Sequence, residues 1–373
     1  MIGGELPHAH GSRECHDETA FWLAISRVPH IGPARIERLL AAFGSLSAAW
    51  SAPREALRGV LDSRPLSELL AARGRIDPGN ELDRLARLGI GVIHPGHPSY
   101  PRLLAEIPGR PTILYVRGDF LPADAAPVAI VGTRRATPYG RQAAERIAAE
   151  LAQAGITVIS GLARGIDAAA HRAALEAGGR TIAVLGSGPD VIYPAEHRRL
   201  AEQILESGAI ISEFAPGAKP DAQNFPARNR IVSGMSLGTV VVEAPLRSGA
   251  LITATLAADQ GREVFVVPGS VLAPSSAGTN ALLRDGARLV RDGADVLEDL
   301  GLEDGKIPAV VQSQLPLDAD ERRLLGALGT EARHIDEIAE EAELAAGKTA
   351  ALLLTMELKG LIRNHGAQYY VLR

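Results

Sequence analysis

The chain has 373 residues, 46% hydrophobic and 22% charged, with 39 glycines and only 4% aromatics, so two or three domains with aliphatic cores are expected. Its single cysteine, Cys15, excludes an internal disulfide framework and suits a reducing compartment. A net charge of −5 excludes a protein that coats nucleic acid through overall positive charge, and no apolar run is long enough to span a bilayer.

Residues 1–18 are expected to form a disordered tail, polar and unlike a signal peptide, which with the reducing composition predicts a cytoplasmic location. His8, His10, Cys15 and His16 lack the paired spacing of a metal site. Residues 19–78 read as a helical domain, with Phe21, Trp22 and Ile25, then Ile36, Leu39, Leu40 and Phe43, at three- and four-residue spacing. Between these runs, Val28-Pro29-His30-Ile31-Gly32-Pro33-Ala34 resembles a helix-hairpin-helix turn, in which backbone N–H groups at a helix start meet a phosphate. A scaffold role for the same turn remains open.

From 79 to 305 short apolar runs alternate with helical stretches, the pattern of a parallel sheet with crossover helices. Strands are expected at Gly91 to His94, Ile113 to Val116, Val128 to Val131, Thr157 to Ser160, Thr181 to Leu185, Ala209 to Ser212, Thr239 to Val242 and Glu263 to Val267. Most are followed at once by glycine, proline or a small polar residue, positions that line the ligand-binding carboxyl edge of a doubly wound sheet. Gly132-Thr133-Arg134-Arg135 follows the third of these strands, with Thr137 and Pro138 suited to start a helix. Ser160-Gly161-Leu162-Ala163-Arg164-Gly165-Ile166-Asp167 repeats the logic, and Gly186-Ser187-Gly188 follows the fifth strand.

The densest cluster is Asn224-Phe225-Pro226-Ala227-Arg228-Asn229-Arg230, where two arginines and an asparagine crowd one turn beside a phenylalanine. Such a turn either grips an anion next to a stacking face or starts a helix whose arginines pair with carboxylates. Residues 128–235 hold 12 basic and 10 acidic groups, the one net-positive stretch, so a polyanion site would be a local patch. Val191 stands where a dinucleotide fingerprint needs its third glycine, which argues against NAD, and Ala342 stands where a P-loop ending in Gly347-Lys348-Thr349 needs its first. There is no Gly-x-Ser-x-Gly elbow, and His171 is expected to pack or cap rather than to pair with Asp167 in catalysis.

Residues 306–318 read as a linker, and 319–373 show the helix, helix, helix and hairpin order of a winged helix. Its second helix offers only Lys348, Thr349 and Lys359 as polar contacts in an acidic segment, which favours protein contact or regulation over duplex reading.

Val131-Gly132-Thr133-Arg134, Ser160 to Asp167, Phe225-Pro226-Ala227-Arg228-Asn229-Arg230, Val242-Glu243-Ala244, Ser248-Gly249 and Val267-Pro268-Gly269 together resemble the DNA-processing protein A family (DprA, also called Smf). The resemblance implies an α/β, extended Rossmann-like core between a helical (helix-hairpin-helix or SAM-like) domain and a winged helix. It also implies a non-enzymatic, cofactor-free homodimer that binds single-stranded DNA and loads RecA recombinase during natural transformation, with no membrane partner. Matched by position, Gly132, Thr133 and Arg134 would hold a phosphate, Gly161, Arg164 and Gly165 the next stretch of backbone, and Arg228, Asn229 and Arg230 the adjoining part. Lys219 would add a further contact and Phe225 a base stack. His197 departs from the asparagine more usual in the family. The same core also resembles phosphoribohydrolases that cleave nucleoside monophosphates, with Glu243 or Asp167 acting on the sugar. Those enzymes carry a Pro-Gly-Gly-x-Gly-Thr turn where this chain reads Glu243-Ala244-Pro245-Leu246-Arg247-Ser248-Gly249. A core that mainly senses a nucleotide is the third reading.

Overall fold

The computed structural model describes residues 11–302, 319–328, 333–342, 344–358, 362–364 and 368–372. The chain divides into two compact units, one of residues 1–120 with 127–296 and the other of 121–126 with 297–373.

The first unit opens with α1 (Gly11–Ser26), α2 (Pro33–Phe43), α3 (Leu46–Ser51), α4 (Arg54–Arg58), α5 (Ser63–Arg73) and α6 (Pro78–Arg87). Helix α1 begins inside the stretch expected to be a disordered tail, of which residues 1–10, with His8 and His10, lie outside the described residues. Its Glu18 carboxylate accepts the Leu46 and Ser47 N–H groups, satisfying two donors that start α3, while the Ser45 hydroxyl accepts a third from Ala48. Pro33 starts α2 and Gly44, at φ 79°, ends it. Leu23, Ile25, Ile36, Leu39 and Leu69 form one core that continues into Val92 and Tyr115 of the sheet and Ile113 just before β2. Helix α6 joins this core through Leu85 and pairs Glu81 with Arg27, the residue that follows α1.

The sheet comprises β1 (Gly91–Ile93), β2 (Leu114–Gly118), β3 (Val128–Val131), β4 (Val158–Ser160), β5 (Thr181–Leu185), β6 (Ala209–Ser212), β7 (Gly238–Val241), β8 (Glu263–Val266) and β9 (Arg288–Leu289), in the order β1-β2-β6-β5-β4-β3-β7-β8-β9. From β6 to β9 every pairing is parallel. The first two strands instead run antiparallel, β1 to β2 and β2 to β6. The connection from β1 to β2 contains only one short helix, the four-residue α7 (Arg102–Ala105). Strands β3 to β7 are buried along their whole length, which explains why their sequences are unbroken apolar or small-residue runs rather than alternating ones. The two-residue β9 was not anticipated; both its residues are exposed, so it carries no apolar signal.

The crossovers are α8 (Pro138–Gln153), α9 (Ile166–Glu176), α10 (Arg198–Ser207), α11 (Asn224–Gly234), α12 (Gly249–Asp259) and α13 (Ala277–Arg284), with α14 (Gly293–Leu300) following β9. Thr137 caps α8 by accepting the Gly140 N–H, as its sequence predicts. The strand order reverses at β3, which pairs with β4 on one side and β7 on the other. The carboxyl ends of β3 and β7 therefore meet at the switch point, where an open α/β sheet leaves a crevice.

In the second unit, α15 (Ala319–Ala327), α16 (Ile335–Glu341) and α17 (Ala346–Leu358) enclose Leu324, Ile338, Leu353 and Met356. Strands β10 (Arg333–His334), β11 (Ile362–Asn364) and β12 (Tyr369–Leu372) pair in the order β10-β12-β11. Of the three polar contacts expected there, Lys348 pairs with Asp320, Thr349 is buried and Lys359 lies outside the described residues, as does the 306–318 linker. Among the described residues no helix is long and apolar enough to cross a membrane.

Candidate nucleic-acid interface

A groove of about 720 Å³ opens at the switch point. Its floor comes from the loop after β3 (Gly132 to Arg135), its walls from Gly161 and Ala163 after β4, the start of α11, and the segment from Pro245 to Thr253 that starts α12.

The first loop is pinned from behind. Thr133 donates its N–H to the Glu243 carbonyl at 2.7 Å, and the Glu243 carboxylate accepts the Thr137 N–H at 2.8 Å. With its main chain held on the segment after β7, the loop leaves Arg134 and Arg135 exposed. Arg134 lies over Phe225, its guanidinium carbon 5.2 Å from the ring centroid. Tyr193 tilts against Phe225, with ring centroids 5.6 Å apart, and is 44% exposed. Phe225 is half-buried and packs closely on Gly186, where an added Cβ would stand 2.9 Å from the ring. It is thus a plug against the third loop and an aromatic face toward the groove.

The second loop is built around a buried carboxylate. Asp167 accepts the N–H groups of Gly161 and Ala163 at 3.1 and 3.2 Å. Burial pushes the Asp167 carboxyl up, opposed by the Arg228 charge and these two donors. Arg228 is 4% exposed and donates to the Val184 carbonyl. Burial lowers its guanidinium to about 10, which leaves it charged at neutral pH. Gly161 is required because a Cβ there would lie 2.1 Å from an Arg228 nitrogen; Gly165, at φ 76°, because a Cβ would lie 2.2 Å from the Thr133 carbonyl oxygen. His197 is buried and shares a 2.9 Å hydrogen bond with the carbonyl of Leu162, a residue at φ 56°, so the histidine at this position supports the second loop.

Of the arginines singled out in the sequence, Arg134 alone stands exposed in the groove without an ion-pair partner among the described residues. Arg164 is exposed but forms a forked pair with Glu196 at 2.5 and 2.7 Å. Arg230 pairs with Glu213 at 2.6 Å and donates to the Gly109 carbonyl at 3.0 Å, tying α11 to the loop before β2, and does not line the groove. Arg228 supports the loops from beneath. Asn229 lines the groove and donates weakly to Gly249, whereas Lys219 is exposed outside it. Sequence reasoning did not single out Arg135, Arg247 or Tyr193 as contacts, although all three line the groove; the one signal was the proximity of each to a strand end. Arg135 and Arg247 are exposed and, like Arg134, have no ion-pair partner among the described residues.

The groove therefore joins unneutralised cations to aromatic faces along an open channel. Glu243 is 2% exposed, committed to the α8 start and not part of the lining. The Gly186-Ser187-Gly188 turn is likewise occupied by its own chain: Gly188 donates to the Ala218 carbonyl and the Ser187 hydroxyl to that of Val191.

Residues 91–301 match the family model described as DNA recombination-mediator protein A. The chain belongs to this family. Residues 308–368 match the DprA winged helix domain. The chain is 35% identical to Protein Smf of Synechocystis sp. over 95% of its own length and 99% of the relative's. It is 44% identical to DNA processing protein DprA of Streptococcus pneumoniae over 54% of this chain and 71% of that one. The crystal structure of the Streptococcus pneumoniae protein superposes with a TM-score of 0.66 at 33% identity, covering 75% of this chain and 97% of the other. DprA from Helicobacter pylori, whose structure is described as showing a unique single-stranded DNA binding mode, superposes at 0.52 with 32% identity, covering 58% and 96%. The α/β Rossmann-like core and C-terminal winged helix implied by the resemblance are thereby borne out, and the DprA groove of this chain lies within the matched core.

Proposed function

We propose that the chain binds single-stranded DNA along the switch-point groove and mediates recombination by delivering that DNA to RecA. The observation that carries this reading is the set of exposed arginines without ion-pair partners among the described residues, Arg134, Arg135 and Arg247, beside the Phe225 and Tyr193 rings. Phosphates meet the guanidinium groups, and bases stack on rings that accept any base face, which makes binding tolerant of sequence. An open channel suits a flexible strand better than a duplex or a mononucleotide. Membership of the DprA family supports the same reading, as does the Helicobacter pylori relative.

Within it, Gly132, Thr133 and Arg134 hold one phosphate, and Gly161, Arg164 and Gly165 border the next. Arg228 and Arg230 position the loops rather than contact DNA, and Lys219 extends the strand path beyond the groove. The protein acts as a cytoplasmic homodimer without catalysis. Glu243, the candidate acid of a phosphoribohydrolase, is occupied as a helix cap.

The test is fluorescence anisotropy with labelled oligo-dT and a duplex of equal length across a salt series. Preferential single-strand binding that Arg134→Ala weakens supports the reading, and equal duplex binding or indifference to Arg134 refutes it. RecA filament formation on oligo-dT coated with a single-strand binding protein tests the delivery step, and light scattering tests the dimer.

A further inference from the structure

One arginine beside the groove is already engaged. Arg164 lines a small recess together with Arg134, Tyr193 and Phe225, so it stands next to the cations and rings that the strand would meet. Yet its Nε and one terminal nitrogen donate to the two Glu196 oxygens at 2.5 and 2.7 Å. A carboxylate and a phosphate offer the same pair of acceptor oxygens to a guanidinium fork. Glu196 therefore holds the hydrogen bonds that a strand phosphate would take.

The backbone sets both halves of this pair in place. Arg164 precedes Gly165, whose turn lies directly against the Thr133 carbonyl and the Arg134 main chain. Glu196 sits in the short 3-10 turn Ala195–His197, and His197 shares its hydrogen bond with the carbonyl of Leu162, two residues before Arg164. The buried histidine thus ties the turn that carries the carboxylate to the loop that carries the arginine. The charged ends nevertheless remain in water, with the Arg164 side chain 58% exposed and that of Glu196 53%. An ion pair this open is weak, so a competing anion can part it. A strand held at Arg134 brings its neighbouring phosphate to Arg164 at a high effective concentration.

We propose that Glu196 is an internal phosphate mimic, which occupies Arg164 in the free protein and yields it to a phosphate of a strand anchored at Arg134. The inference rests on the DNA-binding reading above and adds to it a contact that forms only on binding. Glu196 would then set the affinity of the groove without touching DNA.

The test is a double-mutant cycle read by anisotropy with oligo-dT, comparing the parent, Glu196→Gln, Arg164→Ala and the double variant across a salt series. Glu196→Gln should tighten binding, and its gain should be about two- to fivefold larger in the parent than in the Arg164→Ala background, because only the parent has a pair to open. Removal of a merely repulsive charge would act alike in both backgrounds. Arg164→Ala should lower the slope of log affinity against log salt by about 0.7, the share of one phosphate. Thermal melts accompany each variant, and Glu196→Ala replaces Glu196→Gln in the cycle if the glutamine variant is destabilised. Equal gains in the two backgrounds, no gain, or an unchanged slope in Arg164→Ala would overturn the proposal, while a loss of binding in Arg134→Ala would still uphold the groove. If the parent does not bind oligo-dT, the groove reading itself fails and the proposal falls with it.

Discussion

At the scale of single residues, partners separate arginines of similar sequence context. Arg134 stands over Phe225 without a carboxylate partner among the described residues, whereas Arg164 and Arg230 are already paired with Glu196 and Glu213. Arg134→Ala should therefore weaken oligo-dT binding and lower the slope of log affinity against log salt by about 0.7, the share of one phosphate on a single strand. Arg230→Ala should leave that slope unchanged and lower the melting temperature instead, because it removes the tie from α11 to Gly109. The buried His171 makes a second, pH-dependent prediction. Burial lowers its ring to about 3, and its Nδ1 meets the Thr181 hydroxyl at 2.6 Å. The unfolded chain binds the proton more tightly, near pH 6.5, so the stability from the neutral ring is complete above that pH and is lost as pH falls toward 3. At pH 5 this one group should cost on the order of 2 kcal/mol relative to pH 7.5, and urea unfolding of His171→Leu should show a flatter profile over the same interval.

At the scale of elements, the two loops that border the groove are interlocked, because the first occupies space that a side chain on the second would need. Gly165 and Gly155 both have positive φ, at 76° and 78°, but an added Cβ strikes the Thr133 carbonyl at Gly165 and meets nothing within 4 Å at Gly155. Gly155→Ala should cost about 1 kcal/mol from backbone strain alone. Gly165→Ala should cost more, about 2–3 kcal/mol, and should also weaken oligo-dT binding, because relief of the clash moves the Thr133–Arg134 backbone. Equal destabilisation of the two variants with no loss of binding would argue against the interlock. Phe225→Leu preserves the plug on Gly186 but removes the aromatic face, and should cost about 1–3 kcal/mol of binding with little change in stability.

At the scale of the whole molecule, the groove is confined to the first compact unit. A chain ending at residue 302 should keep its affinity for oligo-dT, measured by the same anisotropy titration; a large loss would assign a DNA contact to the winged helix. If about four to five phosphates are neutralised, the salt slope of the full chain should lie at roughly −3 to −3.5. The net charge of −5 leaves no general positive field to add to it.

Much of this was legible in the sequence because it depends on local pattern. Buried parallel strands must be continuous apolar runs, so β3, β5 and β6 fall where Val128 to Val131, Thr181 to Leu185 and Ala209 to Ser212 place them. Strand ends in such a sheet line one edge, so the glycine and arginine turns could be assigned to one site before their geometry was known. The antiparallel entry of β1 and β2 was not legible, because a strand's apolar run does not record its partner's direction. Nor was the split among the arginines. In the Asn224 to Arg230 turn, Phe225 and Asn229 line the groove, while Arg228 donates to a backbone carbonyl and Arg230 pairs with a carboxylate. Which cation stays free depends on carboxylates and carbonyls brought near from distant strands, and on space that only the packed loops define. Sequence by itself determined the parallel core of the sheet, the edge at which its glycine and arginine turns gather, and the family; tertiary structure decided the antiparallel entry and which charges remain unpaired at that edge, because pairing is a property of distance.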